Sequence, residues 1–401
     1  VTAPAAAQET PEAPPRPGAG AQFALLLALQ FSFGLAFSIF LLLPKILAAR
    51  LHAGPGGIGL VMSMFAFAGV AAIPFVGARV DRPGRPKLIL GGALVMLVGS
   101  LGFLAVDRVG ALAMVLRAVQ GAAYTVVFVT GSAVAADLSP PGRMARTMAL
   151  FGTSNLITNA VAPLFAEPLI DHVGPWAAYL AAALVSGIAA ALATRLAERP
   201  AEAREGGDKS ARASLWVVLK RGRARRITIA IGLAGVAFNA VFTFSGPMAL
   251  ALGIPRVRGF FVAYTVAVIA VRVLLRDVID RVGPQRACVA ALGLYVVVVA
   301  GMCFMPWLGL GPLGAAFGVA HGFLFPSAMA LALHDLPGAE RGRMLTLANA
   351  GLICGGVFSL PLGAIAAHLG YAALFSLSAA GTLGAVALLA RWPIAGPRAV
   401  P

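Results

Sequence analysis

The chain has 401 residues, 60% of them hydrophobic and 11% charged, with a mean hydropathy of +0.90. Soluble globular domains are about 45–50% apolar and roughly a quarter charged, so this composition excludes a water-soluble fold. The net charge of +16 does not mark a nucleic-acid binder, because Arg and Lys fill the short breaks between apolar runs instead of one basic face.

Residues 1–21 read as a disordered tail rich in Pro and Ala, without the order of a secretory leader. Six apolar runs follow, predicted as membrane helices over 22–44, 56–78, 88–106, 110–136, 147–166 and 175–194. The longest polar stretch, 195–226, is the expected linker. Six more helices are predicted over 227–251, 258–275, 287–307, 310–333, 344–367 and 371–391, with a tail over 393–401. Each run is about as long as hydrocarbon is thick. The expected fold is an all-α membrane protein whose twelve transmembrane helices form two six-helix bundles, 22–194 and 227–392.

An even number of spans puts both termini on one side. The breaks on that side carry most of the Lys and Arg, whereas the opposite breaks hold Lys45, Arg50, Arg108, Arg256 and Arg258. This asymmetry predicts cytoplasmic termini and a cytoplasmic linker, in a multi-pass protein of a bacterial inner membrane.

The halves echo each other. "DRPGRPK" at 81–87 returns as "DRVGPQR" at 280–286, each time between a second and a third helix, and "ADLSPPGRM" at 136–144 has a looser partner in "HDLPGAERGRM" at 334–344. Matching loops in two six-helix halves imply a duplicated bundle with a pseudo-two-fold axis along the membrane normal.

The segment Gly77, Asp81, Arg82, Gly84, Arg85, Lys87 resembles the loop between helices 2 and 3 that marks the major facilitator superfamily, and Arg117, Gln120 and Gly121 resemble its Arg-x-x-Gln-Gly signature in helix 4. The resemblance covers 22–392 and is to bacterial efflux-type, drug/proton antiporter-like members. It implies a secondary transporter working by alternating access about a central site, with the 77–87 loop as a gate at the cytoplasmic mouth. There Gly77 would let two helices approach closely and Asp81 would face a helix N-terminus. The second copy keeps Asp280, Arg281, Gly283 and Arg286 but has Arg276 in place of Gly77, together with an extra carboxylate, Asp277. The antiporter signature expected in helix 5 survives only as "APLFAEP".

Polar groups inside a bilayer are costly without partners or water, so they point to mechanism. The candidates for a substrate cavity are Gln30, Arg117, Gln120, Tyr124, Asn155, Asn159, Asn239, Phe242, Arg272, His321 and Asn349. For the Asn and Gln residues, hydrogen bonding between helices is an equal alternative. Phe31, Phe33 and Phe244 extend an aromatic lining. His321 sits beside Gly314, Gly318 and Gly322, which favour close helix packing. A mid-membrane histidine titrates near neutrality and Glu167 lies near the outer end of helix 5, making these two the proton-coupling candidates. Helices 1, 2, 4 and 7 carry no interior carboxylate.

The sequence has none of the GxSxG, HExxH or Walker-type patterns, and Cys288, Cys303 and Cys354 are too few and too scattered for a metal site. The reading is a non-enzymatic transporter with no metal or cofactor. It acts as a monomer among membrane lipids, with no nucleic-acid partner and with protons as the candidate coupling ion. The expected cargo is a small, amphipathic organic molecule moved outward. Two alternatives are a carrier of small organic anions using Arg117 and Arg272, and a non-transporting receptor or scaffold.

Overall fold

The computed structural model describes residues 18–80, 82–140, 143–198, 220, 222–275, 278–333, 344, 347–348 and 351–391. Among these residues there are helices and no strands, as a bilayer demands of any spanning chain that does not close into a barrel. Ten helices are long and apolar enough to cross a membrane. The last of them, Gly351–Ala390, turns sharply at Gly370 (φ 84°, ψ 168°) and contains two spans. A further helix, Arg258–Leu274, has 17 residues. Among the described residues the spans therefore number twelve.

In chain order they are α1 (Ala19–Arg50), α2 (Pro55–Val80), α3 (Arg85–Ala105), α4 (Ala111–Asp137), α5 (Met144–His172), α6 (Pro175–Ala193), α7 (Gly222–Ala251), α8 (Arg258–Leu274), α9 (Pro284–Leu308), α10 (Leu310–Leu333), α11 (351–369) and α12 (371–390). Spans α1–α6 pack on one another, as do α7–α12, and the two sets meet through α2 on α11, α5 on α8 and the end of α1 on α7.

Helix α7 begins at Gly222, five residues before the expected 227, and two helix ends run well past the sequence expectation. Helix α1 does not stop at residue 44. It tightens into a 3₁₀ turn over Phe40–Leu42 and continues to Arg50, with Pro44 in a first-turn position where its missing N–H does no harm. Helix α5 runs to His172 instead of 166, through Pro163 and Pro168. In both places a charge follows the apolar run and suggests the end of a span. Those charges, Lys45 and Glu167, pair with each other inside the protein, so the helices continue past them.

Lipid tails give no hydrophobic force between helices, so tight backbone approach holds the bundles together. A Cβ on Gly121 of α4 would overlap the Phe65 carbonyl of α2, and one on Gly318 of α10 would overlap the Tyr264 carbonyl of α8. The glycine beside His321 is thus a packing device. Between the halves, Gly59 of α2 lies equally close to the Ser359 carbonyl of α11.

The repeated loop ends on a positive-φ glycine in each half. Gly84 (φ 102°, ψ 20°) precedes α3 and Gly283 (φ 90°, ψ 144°) precedes α9, each with a proline in the first turn that follows.

Candidate substrate site and gates

Three regions along the molecule carry chemistry. They are the middle of each half, the end where α1 begins and α12 stops, and the opposite end.

In the first half, Asn155 joins three helices. It accepts a hydrogen bond from Gln30 Nε2 of α1 (3.3 Å) and donates to the Tyr124 hydroxyl of α4 (3.2 Å). The Tyr124 ring lies among Phe37 (4.5 Å between centroids), Phe128 (5.6 Å) and Phe65 (5.7 Å), all half-buried. One helical turn further along α5, Asn159 accepts from Ser38 of α1 (2.9 Å), whose hydroxyl also meets that of Thr158 (2.9 Å). Asn155, Asn159, Glu167 and Asp171 recur at multiples of four residues, so a polar stripe winds around α5 from its centre to its end.

Arg117 lies deeper, 2% exposed. It donates to Gln120 Oε1 (2.9 Å), and its guanidinium stacks over Phe65 (4.5 Å) and Phe40 (5.8 Å). Its Nε and the Gln120 Nε2 have no partner, and no carboxylate among the described residues reaches it. Gln30 and Gln120 are also wholly buried. All three lie buried within the first half, with the Arg117–Gln120 bond inside α4 and the Gln30 bond reaching α5.

The second half is built from rings. Phe238 stacks on Phe242 (4.3 Å) and lies 4.9 Å from His321, whose Nδ1 meets the Tyr295 hydroxyl (2.9 Å). Tyr264 and Phe317 close the same cluster. Asn239 donates to the Gly235 carbonyl of its own helix (2.8 Å). Arg272 lies over Phe325 (5.7 Å) with an unpartnered Nε. Arg117 and Arg272 thus belong to different halves. Phe33, Phe242 and Phe244, expected to line a cavity, are core residues, whereas Phe37, Phe65, Phe128 and Phe238 keep partial exposure. The sequence pattern cannot separate these faces, because both are apolar.

At the end where α1 begins and α12 stops, Arg85 donates to the Val80 carbonyl (2.6 Å) and pairs with Asp137, tying the 2–3 loop to the end of α4. Arg82, Lys87, Arg281 and Arg286 are exposed. Asp81 and Asn349, and the side chain of Asp280, lie outside the described residues. Among the described residues, nothing lies within 4 Å of a Cβ placed on Gly77. The described contacts of α2 with α11 include Gly59, and Gly77 is about 27 Å further along the helix at 1.5 Å per residue.

At the opposite end the halves are joined. Lys45 of α1, 5% exposed, donates to Glu167 (2.6 Å) and Asp171 (3.1 Å) of α5. The Glu167 carboxylate also accepts the backbone N–H of Val257 and of Arg258, each at 2.8 Å, from the start of α8 in the other half. Lys45 and these two amides are not among the site residues the sequence suggests. The available signal was a lone lysine inside "LLLPKILAA", since a buried cation needs a buried partner.

A family model described as Major Facilitator Superfamily matches residues 25–337. The chain belongs to this superfamily. It is therefore a multi-pass membrane transporter and not an enzyme. Multidrug resistance protein MdtL of Escherichia coli is 27% identical over 146 residues, 36% of this chain and 37% of that protein. The match thus spans little more than a third of the curated relatives' length. Among solved structures, the nucleoside transporter NupG superposes with a TM-score of 0.75 at 13% identity, covering 93% of this chain and all of that one. The human organic anion transporter MFSD10 gives 0.66 at 18% identity over 93% of this chain and 100% of its own. A bacterial homologue of the human lysosomal transporter Spinster gives 0.68 at 11% over 94% and 95%. At these identities the likeness is one of fold.

Proposed function

We propose that this superfamily member exports small, amphipathic organic molecules across a bacterial inner membrane by alternating access. The observation that carries the reading is the pair of partly exposed aromatic surfaces, Phe37, Phe65, Tyr124 and Phe128 in one half and Phe238 in the other, with neutral Asn155, Asn159 and Asn239 as the polar groups beside them. Such walls suit a ligand with ring or aliphatic area and one or two hydrogen-bonding groups. The partial similarity to MdtL supports export of this class.

The basic asymmetry of the loops supports cytoplasmic termini. The end joined by Glu167 then faces outward and the arrangement is inward-facing. Maleimide labelling from outside intact cells at Ser210→Cys, after the native cysteines are removed, should give no signal. Strong labelling would invert the assignment. The protein works as a monomer surrounded by lipid.

The test is flux in proteoliposomes. Lipophilic dyes and amphipathic drugs should accumulate and compete with one another, while nucleosides and small organic anions should not. A second reading, organic-anion exchange, is favoured by Arg272, a half-buried cation with an unpartnered Nε. Saturable anion flux abolished by Arg272→Gln would select it.

A further inference from the structure

The clasp at the joined end has an unusual division of labour. Helix α8 begins at Arg258 with an apolar residue, Val257, at its N-cap position and no side-chain cap of its own. The first N–H groups of any helix lack intrahelical partners, and an anion is favoured beside them. Here the cap comes from the other half of the molecule. Glu167, 1% exposed, gives one oxygen to Lys45 and the Val257 N–H, and the other to the Arg258 N–H.

Lys45 and Glu167 both ride on the first half, through α1 and α5, so rocking the halves apart leaves their ion pair intact. Only the two bonds to α8 must break. Those bonds need an ionised carboxylate, because a protonated oxygen loses most of its acceptor strength and charge-assisted bonds are roughly twice as strong as neutral ones.

We infer that Glu167 is the clasp of the outer end: its carboxylate holds that end shut by capping α8 across the two halves, while its pair with Lys45 travels with the first half. The charged groups around it are Lys45 from α1, Asp171 from α5 itself at 40% exposure, Arg50, which donates to the Ile170 carbonyl, and Arg256 and Arg258 at the start of α8. Of these, Lys45 and Asp171 share its ion-pair network, and no side chain of α8 is in it. His321, enclosed among Phe238, Tyr264 and Tyr295 in the second half, has no part in this clasp. The inference rests on the alternating-access reading and names the group that controls one of its two states.

The experiment needs no substrate. Spin labels at Val173→Cys and Leu252→Cys, both exposed positions on different halves near the joined end, are introduced with the three native cysteines changed to serine. Pulsed-dipolar distances are then measured in lipid nanodiscs. Wild type should hold the short distance. Glu167→Gln should be long, with the closed-to-open ratio lowered about tenfold or more. Asp171→Asn, which removes a charge but no bond to α8, should keep the wild-type distance, and so should His321→Gln. The inference is overturned if Glu167→Gln stays closed or if Asp171→Asn opens as far. Should Glu167→Gln not fold, Glu167→Asp, which keeps the charge and shortens its reach, decides the question: it should lengthen the distance, and an unchanged distance overturns the inference. Failure of every amphipathic compound in the flux assay, with these distances responding as stated, would discard the substrate reading and leave the clasp standing.

Discussion

The two halves of this transporter share a backbone plan and differ in chemistry. Each has a positive-φ glycine and a proline opening its third helix, at Gly84 and Gly283. Each has a glycine pressed against a neighbouring backbone, Gly121 on α2 and Gly318 on α8. Yet the interhelical side-chain bonds among the described residues concentrate in the first half, through Asn155, Ser38, Lys45, Glu167 and Arg85. The second half packs rings, with the Tyr295–His321 bond as its buried polar link. Duplication fixes backbone geometry, where any side chain except glycine would collide. It leaves side-chain chemistry free to diverge where packing tolerates alternatives.

The shared plan predicts equal and large effects in the two halves. Gly121→Leu and Gly318→Leu should each remove the folded protein, since overpacking costs about 1–3 kcal/mol even where neighbours can yield and here the obstacle is backbone. Folded yield and thermal melting in detergent measure this. A tolerant Gly318→Leu would mean that the second bundle is looser than the first.

The divergence predicts unequal effects next. Asn155→Leu strands Gln30 and Tyr124 and should destabilise by about 2–3 kcal/mol, whereas Asn239→Leu loses one bond within its own helix and should cost about 1 kcal/mol or less. Equal losses would show that the second half hides a network as strong as the first.

The loops give a smaller contrast. Arg85→Gln removes a buried charge-assisted pair with Asp137 and should cost about 1.5–3 kcal/mol, against about 0.5–1.5 kcal/mol for Gln285→Ala at the second copy, where the Leu389 carbonyl is the acceptor (2.8 Å). The smallest effect on stability belongs to Gly77→Ala. With none of the described residues near its Cβ, stability should rise by up to about 1 kcal/mol from helix propensity alone, read from the thermal melt. Flux should nevertheless fall, because the signature loop calls for a close approach at Gly77 in the opposite state. Unchanged flux would make this glycine incidental.

Much of the fold is legible in the chain. Run lengths and duplicated loops account for the twelve spans, and Gly121 stands in a signature whose structural counterpart is its contact with α2. The departures come from single residues. Lys45 and Glu167 resemble span ends because a charge in isolation belongs in water, and a one-dimensional pattern cannot see that two charges 122 positions apart are neighbours. Phe242 and Phe244 resemble cavity lining because, in a helix apolar all round, composition does not tell the core face from the ligand face.

By itself, then, the sequence determined that this protein lives in a bilayer, how many times it crosses and that it is built twice, because hydrocarbon thickness and backbone satisfaction impose those features on each segment separately. The tertiary structure decided which polar groups meet. The bond from Glu167 to the first amides of α8 exists only when the halves are brought together, since a helix N-terminus is an unfilled demand until some other segment supplies the anion.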